Sequence, residues 1–445
     1  MAPNFLLRWT IQAVIAGSLG AGLVEAFSRS LDFLLRATAG GGIPPVVAAV
    51  GAAVVVGLVV YRLAPGAAGE GIPAYLESVR DARNSMPLRD TLLKFPAAVL
   101  TLGCYGSGGA VGPIGRVSAG LAQSITGVLQ TWFPRLFQDH HQHHADYHAP
   151  TTAAISGMAA AVAAIFGAPV AGAVFAVEVI QTDQLRYHQL FPAALSAATA
   201  VFCAELMGWA PPVLVAVAPL VFHPHLIWTA VLVGLASGAV GIGYTGLYRL
   251  VATGFRRHRR TNRLPRLMVG MASAALLGTL LSPALFGTAH EFYHAVLQGE
   301  ISRLTGPLLP PGSNAIVILV VLLLGKIVGN CLTTGTGMSA GFTGPAAVVG
   351  MALGATIALA IGAPPTSPIY IAAVAAGFSG MLASTMNTPL AATILVAEVF
   401  GGGYSVSAVV AAMIAFQVAR YSTIYEIALA ERLADEESQL PTDAS

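Results

Sequence analysis

The chain has 445 residues and a mean hydropathy of +0.74, with 56% hydrophobic and only 9% charged residues. Soluble domains carry about a quarter charged residues, so this composition excludes a large soluble fold and indicates an all-α polytopic membrane protein. The net charge of +2 argues against a nucleic-acid partner, and Cys104, Cys203 and Cys331 are scattered through apolar segments with neither disulfide nor zinc spacing.

In chain order, Arg8 precedes an apolar run from Ile11 to Val24 that imitates a signal peptide. Hydrophobicity continues downstream, so the run reads as the first membrane helix, over about 9–34. Further segments able to cross or enter a bilayer lie at about 44–63, 91–107, 113–133, 150–166, 169–182, 188–208, 211–222, 226–254, 267–287, 313–332, 344–362, 367–386, 388–400 and 403–420. Several are too short to span, and short segments interrupted by Gly and Pro point to broken helices around a midplane site. Arg256-Arg257-His258-Arg259-Arg260, with Arg263 and Arg266, is the strongest positive-inside signal and Arg80 to Lys94 the second; both read as solvated cytoplasmic loops. After Tyr425 about one helix remains before the acidic tail Asp435 to Ser445, so 1–445 reads as a single membrane domain with no soluble regulatory domain.

Between these segments, Gly106-Ser107-Gly108-Gly109-Ala110-Val111-Gly112-Pro113 stands out. Pro113 suits the first turn of a helix, which would then begin inside the membrane with its first N–H groups unpaired. Glycines before such a start let backbone approach a ligand, which makes an anion cradle; they equally allow close helix packing.

The pattern occurs twice. Gly157, Pro169 and Glu178 recur as Gly377, Pro389 and Glu398, each displaced by 220 residues (377−157, 389−169, 398−178). Gly109-Ala110-Val111-Gly112-Pro113 recurs as Gly341-Phe342-Thr343-Gly344-Pro345, displaced by 232 (345−113). Two related halves, 1–222 and 223–445, follow, and duplication of so rare an arrangement favours the cradle. The difference between the offsets falls on the polar insert Phe137 to His148, whose five histidines and two aspartates fit either a polar loop or a metal- or pH-responsive tract without recognised zinc spacing.

With these motifs in order, the chain resembles the CLC family of chloride channels and proton-coupled chloride antiporters. Gly69-Glu70-Gly71-Ile72-Pro73 resembles the family's G-S/P-G-I-P, Gly109 to Pro113 its G-K/R-E-G-P, and Gly341 to Pro345 its G-x-F-x-P, approached by Lys326 and Thr333; Tyr425 stands where the family has a late tyrosine. The resemblance implies a duplicated antiparallel (inverted-repeat) fold with broken helices meeting at a midplane anion site, in a homodimer with one pore per subunit. It also implies anion contacts from Glu70, Gly71, Ile72, Val111, Gly112, the N–H groups of Phe342 and Thr343, and the Tyr425 hydroxyl.

Departures from the family pattern carry equal weight. Where members have a gating and proton-carrying glutamate this chain has Val111, and where antiporters have a second proton glutamate it has Val179 beside Glu178. Valine cannot titrate. Conversely, Glu70 replaces a serine or proline, and a carboxylate in the bilayer is by default a functional hypothesis: it either hydrogen-bonds an anion or occupies the anion's place, unless the backbone turns it to cytoplasmic water. Arg116 is a candidate counter-charge to Glu70 or an added anion attractant. Glu178 and Glu398 read as caps on neighbouring helix ends.

The expected function is a chloride-type anion channel or uncoupled transporter of the cell membrane; the alternative is a secondary active exchanger, chloride/proton or chloride/bicarbonate, with Glu70 titrating. A sensor or scaffold with a degenerate pore is opposed by the retained glycines and Tyr425. No Ser/His/Asp or H-E-x-x-H pattern supports an enzyme. No cofactor or metal is implied beyond a bound inorganic anion such as chloride.

Overall fold

The computed structural model describes residues 3–81, 84–137, 148–180, 185–209, 211, 224, 226–257, 263–427 and 430. The chain runs through α1 (Pro3–Gly40), α2 (Pro45–Leu58), α3 (Ile72–Arg80), α4 (Leu88–Gly103), α5 (Val111–Trp132), α6 (Pro134–Phe137), α7 (Ala149–Phe166), α8 (Pro169–Glu178) and α9 (Tyr187–Leu206). It continues through α10 (Leu226–Arg257), α11 (Arg263–Leu281), α12 (His290–Leu297), α13 (Ala315–Gly335), α14 (Thr343–Ala360), α15 (Pro368–Met386), α16 (Pro389–Val399) and α17 (Ser405–Ala419), and Tyr425 lies in a final helical turn. Among the described residues nine stretches are long and apolar enough to cross a membrane, the apolar helices α8 and α16 are too short for a full crossing, and α2 continues through a π-helical turn to Leu63.

Local chemistry punctuates these helices. Proline occupies the first turn of α2, α7, α8, α15 and α16. Asn314 and Ser367 cap α13 and α15 by accepting from Ile316 N–H at 2.9 Å and Tyr370 N–H at 3.3 Å. Gly167 and Asn387, again 220 apart (387−167), end α7 and α15 in the left-handed region with φ of 66° and 62°, and so turn the chain into α8 and α16.

Packing follows the duplication. The almost wholly buried α7 and α15 form the centre, α7 against α5 and α9, α15 against α14 and α17. Small residues make this possible: a Cβ on Gly157 would lie 2.6 Å from the Ser118 carbonyl oxygen, and Gly377 packs onto the Gly350 backbone. The glutamates exchange between halves. Glu178, at the end of α8, accepts from Leu390 and Ala391 N–H at 2.9 and 2.8 Å, and Glu398 accepts from Val170 and Ala171 N–H at 3.0 and 2.8 Å. Each carboxylate thus caps a helix start, as the sequence suggested, but the short helix it caps belongs to the opposite half. At the centre, Gly109 and Gly341 exchange N–H···O bonds of 2.8 Å in each direction, a two-residue antiparallel bridge that abuts the starts of α5 and α14.

Two expectations change. Lys94 does not lie in a solvated basic loop: α4 begins at Leu88 and carries Lys94 fully buried on its inner face. Arg80 is a clamp, its Nε donating to the Ile180 carbonyl at 2.8 Å and its Nη2 pairing with Glu426 at 2.6 Å, which pins the turn bearing Tyr425. Residues 138–147, 212–223, 258–262 and 431–445, which include His140 to His144, nearly all of the segment at 211–222, three residues of the basic cluster and the acidic tail, lie outside the described residues.

Candidate functional site

Three helix starts converge near the bridge: α3 at Gly71–Ile72, α5 at Ala110–Val111 and α14 at Phe342–Thr343. The N-cap residues Gly71, Ala110 and Phe342 supply no side-chain cap, so the first-turn N–H groups are open to another acceptor. For α3 that acceptor is Glu70, whose Oε2 takes the Ile72 N–H. Its Oε1 lies against the backbone of Gly112, where the space that a Cβ would fill is taken by the carboxylate. Glu70 is buried, and Oε1 accepts no hydrogen bond among the described residues. Gly71 in turn leaves room for the Gly112 carbonyl and for Cβ of Arg116, so α3 and α5 meet backbone to backbone.

Tyr425 completes the cluster. Its buried hydroxyl lies 3.1 Å from Thr343 Oγ1, and the Glu70 carboxylate is within electrostatic reach of it. Phe342 is held edge-on between the rings of Tyr244 and Tyr248, with centroids 6.3 and 4.7 Å away. Behind Glu70, the Lys94 ammonium donates to the carbonyls of Ala67, at 3.1 Å, Ala68, at 3.3 Å, and Gly69, and its charge acts on the Glu70 carboxylate. Helix-end dipoles and this ammonium together oppose the cost of burying a carboxylate.

Val111, 2% exposed, immediately precedes Gly112 and faces a different space. It lines a cavity of about 80 Å³ together with Gly109, Ala110, Gly344, Tyr293 and His290. Helix α11 starts beside the basic cluster and ends at Leu281, so the segment bearing His290 lies on the face opposite that cluster. The structure therefore brings Glu70, Gly71, Ile72, Gly112, Phe342, Thr343 and Tyr425 to one locus, with Val111 between it and the outer cavity. Arg116 is buried on α5 with Nη1 donating to the Asp90 carbonyl at 3.4 Å, and Val179 is the C-cap of α8.

The comparisons agree with this architecture. The family described as Voltage gated chloride channel matches residues 51–420. The chain belongs to that family. An H(+)/Cl(-) exchange transporter ClcA of Vibrio parahaemolyticus is 27% identical over 420 residues, covering 88% of this chain and 82% of the relative. A chloride/fluoride channel protein of Pseudomonas syringae is 25% identical over 377 residues, covering 82% and 74%. Among solved structures, a CLC-type fluoride/proton antiporter superposes with a TM-score of 0.77 at 22% identity, covering 95% of this chain and 98% of its own. A slow cyanobacterial Cl-/H+ antiporter gives 0.79 at 18%, covering 98% and 100%. The fold is the duplicated antiparallel CLC fold, in a multi-pass membrane protein of a family of anion channels and transporters.

Several residues around the site escaped the sequence. The positive-inside pattern places Lys94 in a loop, although Lys326 lies 232 residues on (326−94), the displacement of the two G-x-x-G-P motifs, and makes the matching contacts to the Leu285 and Gly287 carbonyls at 3.0 Å each. Repeat arithmetic could have found that pair. Asn330, which donates to the Ser107 carbonyl at 3.3 Å and the Gly341 carbonyl at 3.1 Å and receives the Tyr244 hydroxyl, ties the bridge together and carried no motif signal.

Proposed function

We propose that this protein passes small inorganic anions of the chloride type across the bilayer through the cradle formed by the starts of α3, α5 and α14 with Tyr425, as a channel or uncoupled transporter. The observation that carries the reading is the Glu70 carboxylate, lodged on the Ile72 N–H and against Gly112, where helix ends would otherwise receive a mobile anion. Transported anion and carboxylate then compete for one seat, and each translocation requires the side chain to leave. Val111 and Val179, at the positions where the family resemblance expects glutamates, carry no proton, so coupling by that route is absent. The resemblance extends the proposal to a homodimer with one pathway per subunit.

A second reading is favoured by the same observation. A carboxylate leaves a buried seat more readily once protonated, which would make Glu70 the coupling group of an exchanger. Chloride efflux from proteoliposomes, recorded with external pH for the wild type and Glu70→Gln, separates the two. Uncoupled conduction requires a potassium ionophore for efflux and leaves pH flat in both proteins. Proton movement against chloride in the wild type, abolished in Glu70→Gln, establishes the exchanger. Absence of flux with chloride, and with bicarbonate supplied on the opposite side, contradicts both.

A further inference from the structure

Above Val111 the cavity opens on the face away from the basic cluster, and its rim carries an exposed imidazole. His290 begins α12 and lines the cavity whose floor is Gly109, Ala110, Val111 and Gly344, the starts of α5 and α14. The Tyr293 hydroxyl donates to the Gly344 carbonyl at 3.2 Å and so fixes α12 over the start of α14. The groups bearing on His290 are Asp32 from α1 and Glu291 and His294 from α12 itself, the His294 ring lying with its centroid 4.7 Å away at 64°. While the imidazole is neutral, Asp32 and Glu291 are the charges nearest the rim in this set, and both repel an anion.

We propose that His290 is a rate-determining residue for anion entry at the outer end of the pathway, its imidazolium offsetting the two carboxylates and drawing anions into the cavity above Val111. The inference rests on the proposed anion function. Val111 puts no carboxylate at the α5 start itself, so the rim charge acts directly on an anion approaching it. Partial desolvation and the neighbouring His294 ring hold the His290 imidazole below the usual histidine range, with Asp32 and Glu291 pulling the other way. Because the shift is downward, the charged form gathers only on acidification below the usual histidine range. A unit charge at a semi-exposed entrance changes local anion occupancy by a factor of roughly three to ten.

The test is chloride efflux with a potassium ionophore present, at fixed internal pH, with external pH lowered from about 7.5 to about 5.5. Wild type should accelerate roughly three- to tenfold on acidification. His290→Gln should stay at the slow rate throughout, His290→Lys should stay at the fast rate throughout, and His294→Gln should still respond. Elution as a single species in detergent confirms that each variant is folded. Wild-type flux without external pH dependence overturns the inference and leaves the anion function standing; so does a response that persists in His290→Gln, or a slow His290→Lys. Absence of flux at every pH overturns both.

Discussion

Glu70 is tolerated in the protein interior because protein groups supply what water would have supplied: the Ile72 N–H, the dipoles of the converging helix starts and the Lys94 ammonium. Lys94 also holds three consecutive carbonyls, those of Ala67, Ala68 and Gly69, in the turn that delivers Glu70. Replacing Lys94 with Met strands those carbonyls and the carboxylate together, at an expected cost of about 3–5 kcal/mol. A large fall in the thermal midpoint in detergent is the readout. In a Glu70→Gln background the same change should cost roughly 1–3 kcal/mol less, which is the coupling between the two charges. Equal costs in both backgrounds would show that Lys94 braces the turn alone. The sequence concealed this role because Lys94's partners lie 25 to 27 residues upstream, and a positive-inside count weighs only the charges flanking a segment.

At the scale of elements, identical-looking glycines do different work. Gly109 and Gly341 form the bridge between the halves, Gly157 and Gly377 let helices touch, and Gly71 and Gly112 make room around the Glu70 turn. Close packing, one of the two sequence readings of the membrane glycines, holds at Gly157 and Gly377, and only neighbours in space distinguish these positions from Gly71 and Gly112, which give backbone its approach to Glu70. A methyl group on Gly112 presses on the far end of the Glu70 side chain, which can rotate away. One on Gly71 presses on the Gly112 carbonyl, which cannot. Gly112→Ala should therefore keep a thermal midpoint near that of the wild type while changing anion transport. Gly71→Ala should lose more than about 2 kcal/mol of stability. The reverse order would mean that the carboxylate does not fill the space beside Gly112.

For the whole molecule, the duplication was legible because the recurring glycine, proline and glutamate each have a role that spacing preserves: close contact, helix start, and cap on the opposite half. The membrane class and the order of most helices followed from hydropathy. Less legible was which charges are buried, since Lys94, Lys326 and Arg116 enter the core by pairing with backbone carbonyls that leave no trace in composition. Glu70 sits between these levels. Its motif marked it as a departure, but only the fold places its carboxylate on the start of α3 and beside the start of α5.

The claim that this carboxylate and a transported anion share one seat is tested most directly by calorimetric titration of chloride into the detergent-solubilised protein. Removing the competing carboxylate in Glu70→Gln and Glu70→Ala should tighten chloride binding by at least about tenfold, equivalent to roughly 1.4 kcal/mol. Unchanged or weaker binding in both variants would contradict the account and place the anion elsewhere.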